Sequence, residues 1–233
     1  MKFFITLMVF SFGFVVLAQE SLQDASSSTI VDTRYKEDQF YFGIHYNLLA
    51  KKPTALSQSG FSIGGAFGKI LDIPINKTRT FGFGVGLGYA LDFVNHNLAI
   101  TESNSNSTSY TILNTADFSS NRTSLHGIEL PLEIRWRTSN PSSYKFWRVY
   151  GGLKFGYVFA SRSVLKVSSE TTKTKGLSDI NKLQYGLTLN AGYDTWNIQI
   201  YYGLNPIFDE ITTTEAVAVD MKLVKIGLIF YLL

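Results

Sequence analysis

The sequence predicts an all-β fold: a transmembrane, antiparallel, up-and-down β-barrel of about eight strands behind an N-terminal signal peptide. Three observations carry this expectation. The chain is rich in ring-bearing and small residues, with 13 Tyr, 18 Phe and 19 Gly, yet after residue 18 it has no apolar run long enough to cross a bilayer as a helix. Apolar side chains alternate with small or polar ones over segments of about 10 residues, as in a strand with lipid on one face. The connections between these segments alternate short and long, an asymmetry that outer-membrane barrels share.

The N-terminus has the order of a secretory signal. Met1 and Lys2 precede an uncharged run over residues 3–17, and Val16 and Ala18 occupy the −3 and −1 places of a cleavage site before Gln19. The expected organisation is a signal peptide over 1–18, a periplasmic tail with a Ser-rich start over 19–38, and a single barrel domain over 39–233.

The strands follow in order. Phe40, Phe42, Ile44, Tyr46 and Leu48 make the outer face of the first. In the second, Phe61, Ile63 and Phe67 face outward, but Gly64, Gly65 and Lys69 interrupt the pattern, and a bulge is expected there. The third, over 81–92, sets Phe81, Phe83, Val85, Leu87, Tyr89 and Leu91 against Gly82, Gly84, Gly86, Gly88, Ala90 and Asp92. Glycine weakens a strand, so four on one face make sense where long side chains from opposite need the room. The fourth, over 128–137, turns Ile128, Leu130, Leu132, Ile134 and Trp136 outward and Glu129, Pro131, Glu133, Arg135 and Arg137 inward. The fifth begins at Arg148, with Val149, Gly151, Leu153, Phe155, Tyr157 and Phe159 outward. Its inward row is Arg148, Tyr150, Gly152, Lys154, Gly156, Val158, Ala160 and Arg162. Residues 185–193 and 196–204 repeat the alternation, and the last strand, about 219–233, is ambiguous in its facing.

Three connections, 73–78, 139–144 and 194–195, are short; four, near 50–57, 95–124, 167–180 and 205–216, are long and polar. With both chain ends in the periplasm, the short ones are periplasmic turns. The second long loop is low in complexity around residues 101–109 and reads as solvated, with a short strand extension expected over 110–113. Trp136, Tyr144, Trp147 and Trp196 flank the short turns, where an aromatic belt meets the lipid interface.

The strand order resembles a known family, most of all in the segments His126-Gly127-Ile128-Glu129-Leu130-Pro131-Leu132-Glu133 and Tyr150-Gly151-Gly152-Leu153-Lys154-Phe155-Gly156-Tyr157. The resemblance is to the PorT-like, or porin-family, outer membrane β-barrel proteins of diderm bacteria and covers nearly the whole mature chain. It implies the fold and an outer-membrane location; the family's namesake looks like an accessory of a protein-secretion and gliding apparatus.

The interior is expected to be a polar network of Glu129, Glu133, Arg135, Arg137, Lys154 and Arg162, acids pairing bases in a lumen about wide enough for side chains alone. Catalysis is not expected. The three histidines, His45, His96 and His126, form no metal motif, no nucleophile elbow is present, and the Gly82-Phe83-Gly84-Val85-Gly86 run opens no helix. The chain has no cysteine, which excludes disulfides, thiolate metal sites and a lipidated N-terminal Cys. Its net charge of +3 is spread along the chain, which argues against nucleic acid as a partner. The expected protein is a non-enzymatic outer-membrane barrel without a cofactor. It would act as a structural or interaction component in contact with outer-membrane lipid and with other envelope or secretion proteins; a secretion accessory and a small-solute pore are the alternatives.

Overall fold

A side-chain period of two commits each segment to one inner and one outer face, and hydrogen bonding around a closed ring leaves no backbone edge in lipid. The computed structural model describes residues 38–102, 108–138 and 146–232, in which it shows this ring. The signal peptide, residues 19–37 of the tail and Tyr144 lie outside the described residues.

The described residues form eleven strands: β1 (Gln39–Ala50), β2 (Ile63–Pro74), β3 (Phe81–Asn95), β4 (Leu98–Glu102), β5 (Thr108–Ile112), β6 (Ser120–Arg137), β7 (Trp147–Val167), β8 (Glu170–Lys175), β9 (Leu183–Tyr193), β10 (Trp196–Gly203) and β11 (Lys222–Leu232). Eight of them close a barrel in the order β6-β3-β2-β1-β11-β10-β9-β7, with β7 pairing back onto β6. Every pairing is antiparallel, and the first and last strands meet in a register running from Phe40↔Leu232 to Ala50↔Lys222. The other three belong to the long loops: β4 and β5 form a hairpin of their own, and β8 takes the edge of β7 where β9 has left it.

The outer face carries the apolar rows read from the sequence, including Phe40, Phe42, Phe67, Phe83, Leu87, Ile134 and Leu187. At the short-turn end Trp136, Trp147 and Trp196 all point outward, Trp147 beside Tyr193 and Trp196 edge-on to Phe230. On β11 the facing resolves: Leu223, Lys225, Ile229 and Tyr231 are buried inside. The turn between β9 and β10 is Asp194 and Thr195, with Asp194 in the left-handed region at φ 55°, a conformation Asp tolerates.

Two expectations about register are corrected. The pairing of β2 with both neighbours runs without a shift, so there is no bulge at Gly64 and Gly65. Gly64 is instead an inward residue whose missing side chain leaves room for the His45 imidazole and the Asp92 carboxylate, while Lys69 points outward to Asp38. The shift lies between β6 and β7, where His126 pairs with Ala160 but Gly127 pairs with Val158, leaving Phe159 as the extra residue. A bulge moves every later side chain to the other face. Beyond it Ser163 and Leu165 are buried and Ala160 is exposed, so neither Ala160 nor Arg162 faces inward as the unbroken alternation implied.

Candidate functional site

The lumen is filled from the short-turn end upward. Arg135 on β6 is fully buried and donates from Nε to Glu133 Oε2 (3.0 Å) and from Nη1 to Asp72 Oδ1 (3.1 Å) and Gln39 Oε1 (3.3 Å). Its guanidinium lies over the rings of Tyr150 and Tyr231, at 4.6 and 5.5 Å from their centroids. Arg137 donates to the other Asp72 oxygen at 2.8 Å. Glu133 also accepts from Asn190, whose own amide is tied to Tyr231 and Gln199. A buried cation needs this degree of satisfaction, because desolvation alone would expel it.

A second cluster lies nearer the long loops. Glu129 accepts from Lys154 Nζ (3.2 Å) and from the Tyr41 hydroxyl (2.7 Å). Asp92 takes Lys225 Nζ on one oxygen (2.6 Å) and His45 Nε2 on the other (2.8 Å). Above it a cavity of about 50 Å³, lined by Asp92, Glu129, Lys154, Tyr201 and Lys225, has room for a few waters.

The long loops close over this cavity as a folded cap, where a solvated loop was expected. Leu98, Ile100 and Tyr110 of the β4–β5 hairpin pack with Leu56, Leu177, Ile180, Ile207, Phe208, Ile211 and Met221 in one buried apolar cluster. Residues 110–112 therefore pair with β4 and do not prolong the barrel wall; residues 103–107 lie outside the described residues. Asn97 ties two loops together, accepting from the Ser57 amide and donating to the carbonyls of Ala55 and Leu113. Tyr110 donates to Asp179 at 2.8 Å, and burial, then that carboxylate, raise its phenol well above the ordinary range.

The matching family model is the outer membrane protein beta-barrel domain, over residues 17–209. The chain belongs to this family. No curated protein matches it. Among solved structures, Ail, the attachment invasion locus protein of Yersinia pestis, is 10% identical, with 84% of this chain and 98% of that chain covered at a TM-score of 0.32.

In this outer-membrane barrel, a protein of the bacterial outer membrane, the expected interior residues are placed as follows. Glu129 pairs with Lys154, Glu133 with Arg135, and Arg137 with Asp72, all inside. Arg162 does not join them: the bulge puts it on the outer face, half-buried and, among the described residues, in no ion pair. Asp72, Asp92 and Lys225, all central to the clusters, were missing from the predicted network. Their signal is a lone charge on the inner phase of an otherwise apolar strand, as in Leu71-Asp72-Ile73.

The barrel's histidines lie apart. His45 is in the lumen, His126 faces outward with Nδ1 at 2.6 Å from the Tyr89 hydroxyl, and His96 is buried in the cap. Among the described residues no three His, Asp or Glu side chains gather as a metal site. His96 Nε2 is 2.9 Å from Thr123 Oγ1, but its Nδ1 accepts from the Leu98 amide, where a catalytic base would have an orienting acid.

Burial pulls the His96 imidazole down to about 4 from an ordinary 6.5, so the folded cap holds it neutral. The unfolded cap binds the proton more readily, so the His96 contribution is fully present above pH 6.5 and declines as pH falls toward 4. At about pH 4.5 the cap should be weaker by roughly 2–3 kcal/mol. The hydrogen-exchange protection factors of the Leu98 and Ile100 amides, which correct for the slower intrinsic exchange at low pH, should fall accordingly, and His96→Asn should flatten the trend. Equal protection at both pH values in the wild type would disprove this.

Proposed function

We propose that this barrel is a non-enzymatic, non-conducting component of the outer membrane that works through the surface its folded cap presents to other envelope proteins. The observation that carries the reading is a double obstruction: two ion-pair clusters fill the lumen and an apolar cap seals the end above them. Eight strands leave an interior that side chains can fill, and here the two clusters leave a cavity of about 50 Å³ beneath the cap. A catalytic role finds no support in the histidines, which stand apart, or in the Thr123–His96 pair, which lacks an acid and is buried.

Purified protein in planar bilayers should give no unitary current steps above background. Regular steps would overturn the reading in favour of a small-solute pore. A secretion accessory, as the PorT-like resemblance of the strands over 126–133 and 150–157 implies, is one form such an interaction component takes. Missing cargo among the secreted proteins of cells lacking the gene would select it.

A further inference from the structure

Beyond the bulge, the outer face of β6, β7 and β8 is basic. Partners directly opposite in a ladder share a face. Arg162 stands opposite Lys175 and Ser124, Val164 opposite Lys173 and Arg122, and Lys166 opposite Thr171 and Ser120. Five cations thus share one small patch. Arg122, Lys166, Lys173 and Lys175 are exposed and Arg162 is half-buried.

The patch is unbalanced. Among the described residues none of these five side chains is in an ion pair, and Glu170 sits opposite Val167 on the other face of the ladder. Arg162 and Lys175, directly opposite, repel each other. Arg162 Nε is shielded from solvent with no hydrogen-bond partner among the described residues, and Arg122, held by Asn95 and the Phe93 ring, is exposed. An anion on this face would relieve the repulsion and satisfy the buried nitrogen.

Height above the apolar band says where that anion comes from. Ile128 is the last large apolar residue of the β6 outer row, and Tyr157 and Phe159 are exposed at the same level on β7. Arg162, opposite Ser124, is four residues further along. With about 3.3 Å per residue and a strand tilted about 45°, the cations start roughly 9 Å above the band and end roughly 19 Å above it. This is the long-loop end, which in outer-membrane barrels faces outside the cell, so Arg162 and Lys175, at the lower edge of the patch, come within a long side chain's reach of the headgroups of the outer leaflet. We propose that the outer face of β6–β8 binds the phosphate groups of an outer-leaflet glycolipid through Arg162, Lys173 and Lys175, with Tyr157 and Phe159 against its acyl chains.

The test uses the full chain folded in detergent micelles, with bisphosphorylated lipid A as the probe and native mass spectrometry as the readout. Wild type should retain the lipid, and a variant combining Arg162→Gln, Lys173→Gln and Lys175→Gln should retain it roughly a hundredfold less. Raised salt should weaken retention, and lipid A stripped of phosphate should be held poorly by both proteins. A second variant, Lys51→Gln with Lys77→Gln, removes exposed cations elsewhere and should behave as wild type. The shift in gel mobility between unboiled and boiled samples verifies that each variant has closed. Equal retention by the triple variant and wild type, equal retention of phosphate-free lipid A, or capture of heparin in preference to lipid A would each overturn the proposal.

Discussion

Replacing Arg135 with Ala should destabilise the barrel by about 3–5 kcal/mol, the usual consequence of removing one partner from a buried ion pair. The guanidinium joins elements far apart in sequence: Gln39 on β1, Asp72 on β2 and Glu133 on β6, with Tyr150 and Tyr231 stacked against it from β7 and β11. Without it, Glu133 keeps only the neutral Asn190 amide, and Asp72 keeps Arg137 alone. Both carboxylates would remain in a lumen where they are almost wholly out of water. Urea titration followed by the fraction of protein that migrates as the closed barrel measures the loss. Arg135→Lys should recover part of it, since a single ammonium cannot serve Glu133, Asp72 and Gln39 at once. Neutralising the partners together with the cation, as Arg135→Met with Glu133→Gln and Asp72→Asn, should do better than Arg135→Ala alone. A change below about 1 kcal/mol for Arg135→Ala would mean that the network is solvated and screened.

The second large effect is steric. Gly84→Val should destabilise by at least 1–3 kcal/mol, the cost of overpacking, because a Cβ there would sit 2.5 Å from Arg135 Nε and 3.0 Å from its Cζ. The guanidinium would have to move, and its ion pairs with it. Gly88→Val should be as severe, since its Cβ would overlap the Tyr41 hydroxyl, which donates to Glu129, and come within 2.7 Å of the Phe67 carbonyl. Gly156 is the control. Its nearest neighbours, the Cβ and carbonyl oxygen of Gln184, are 3.7 Å from an added Cβ, so Gly156→Ala should be close to neutral. The same urea titration separates these cases, and equal midpoints for Gly84→Val and Gly156→Ala would show that the glycine face is not there to make room.

How much of this was legible in the sequence depends on the range of the interaction. Facing along a strand is local, and it could be read for β1, β3, β6 and the lower part of β7, where large apolar and small or charged residues differ sharply. It failed where both phases carry ambiguous residues: Val158-Phe159-Ala160-Ser161 contains no charge to reveal that the alternation slips. Partners in the lumen were only half readable. Glu133 and Arg135 are two residues apart, but Asp72 reaches Arg135 across 63 positions and Asp92 reaches Lys225 across 133. The cap left almost no trace. Leu98, Leu177, Ile180, Phe208 and Ile211 are scattered among polar residues with no shared period, and only tertiary packing makes them a core.

The pairing of β1 with β11 has a meaning for assembly. Phe40 and Leu232 are neighbours in space and nearly two hundred residues apart in the chain, so the seam joins the first strand of the barrel to its last. A chain held up short of β11 would carry two open edges, on β1 and β10, each ready to pair with a foreign strand. Long-range closures of this kind are slow, and the cell must keep the sheet from finding the wrong partner until its final strand arrives. Closure therefore waits on β11, and an open seam marks a barrel that has not finished folding.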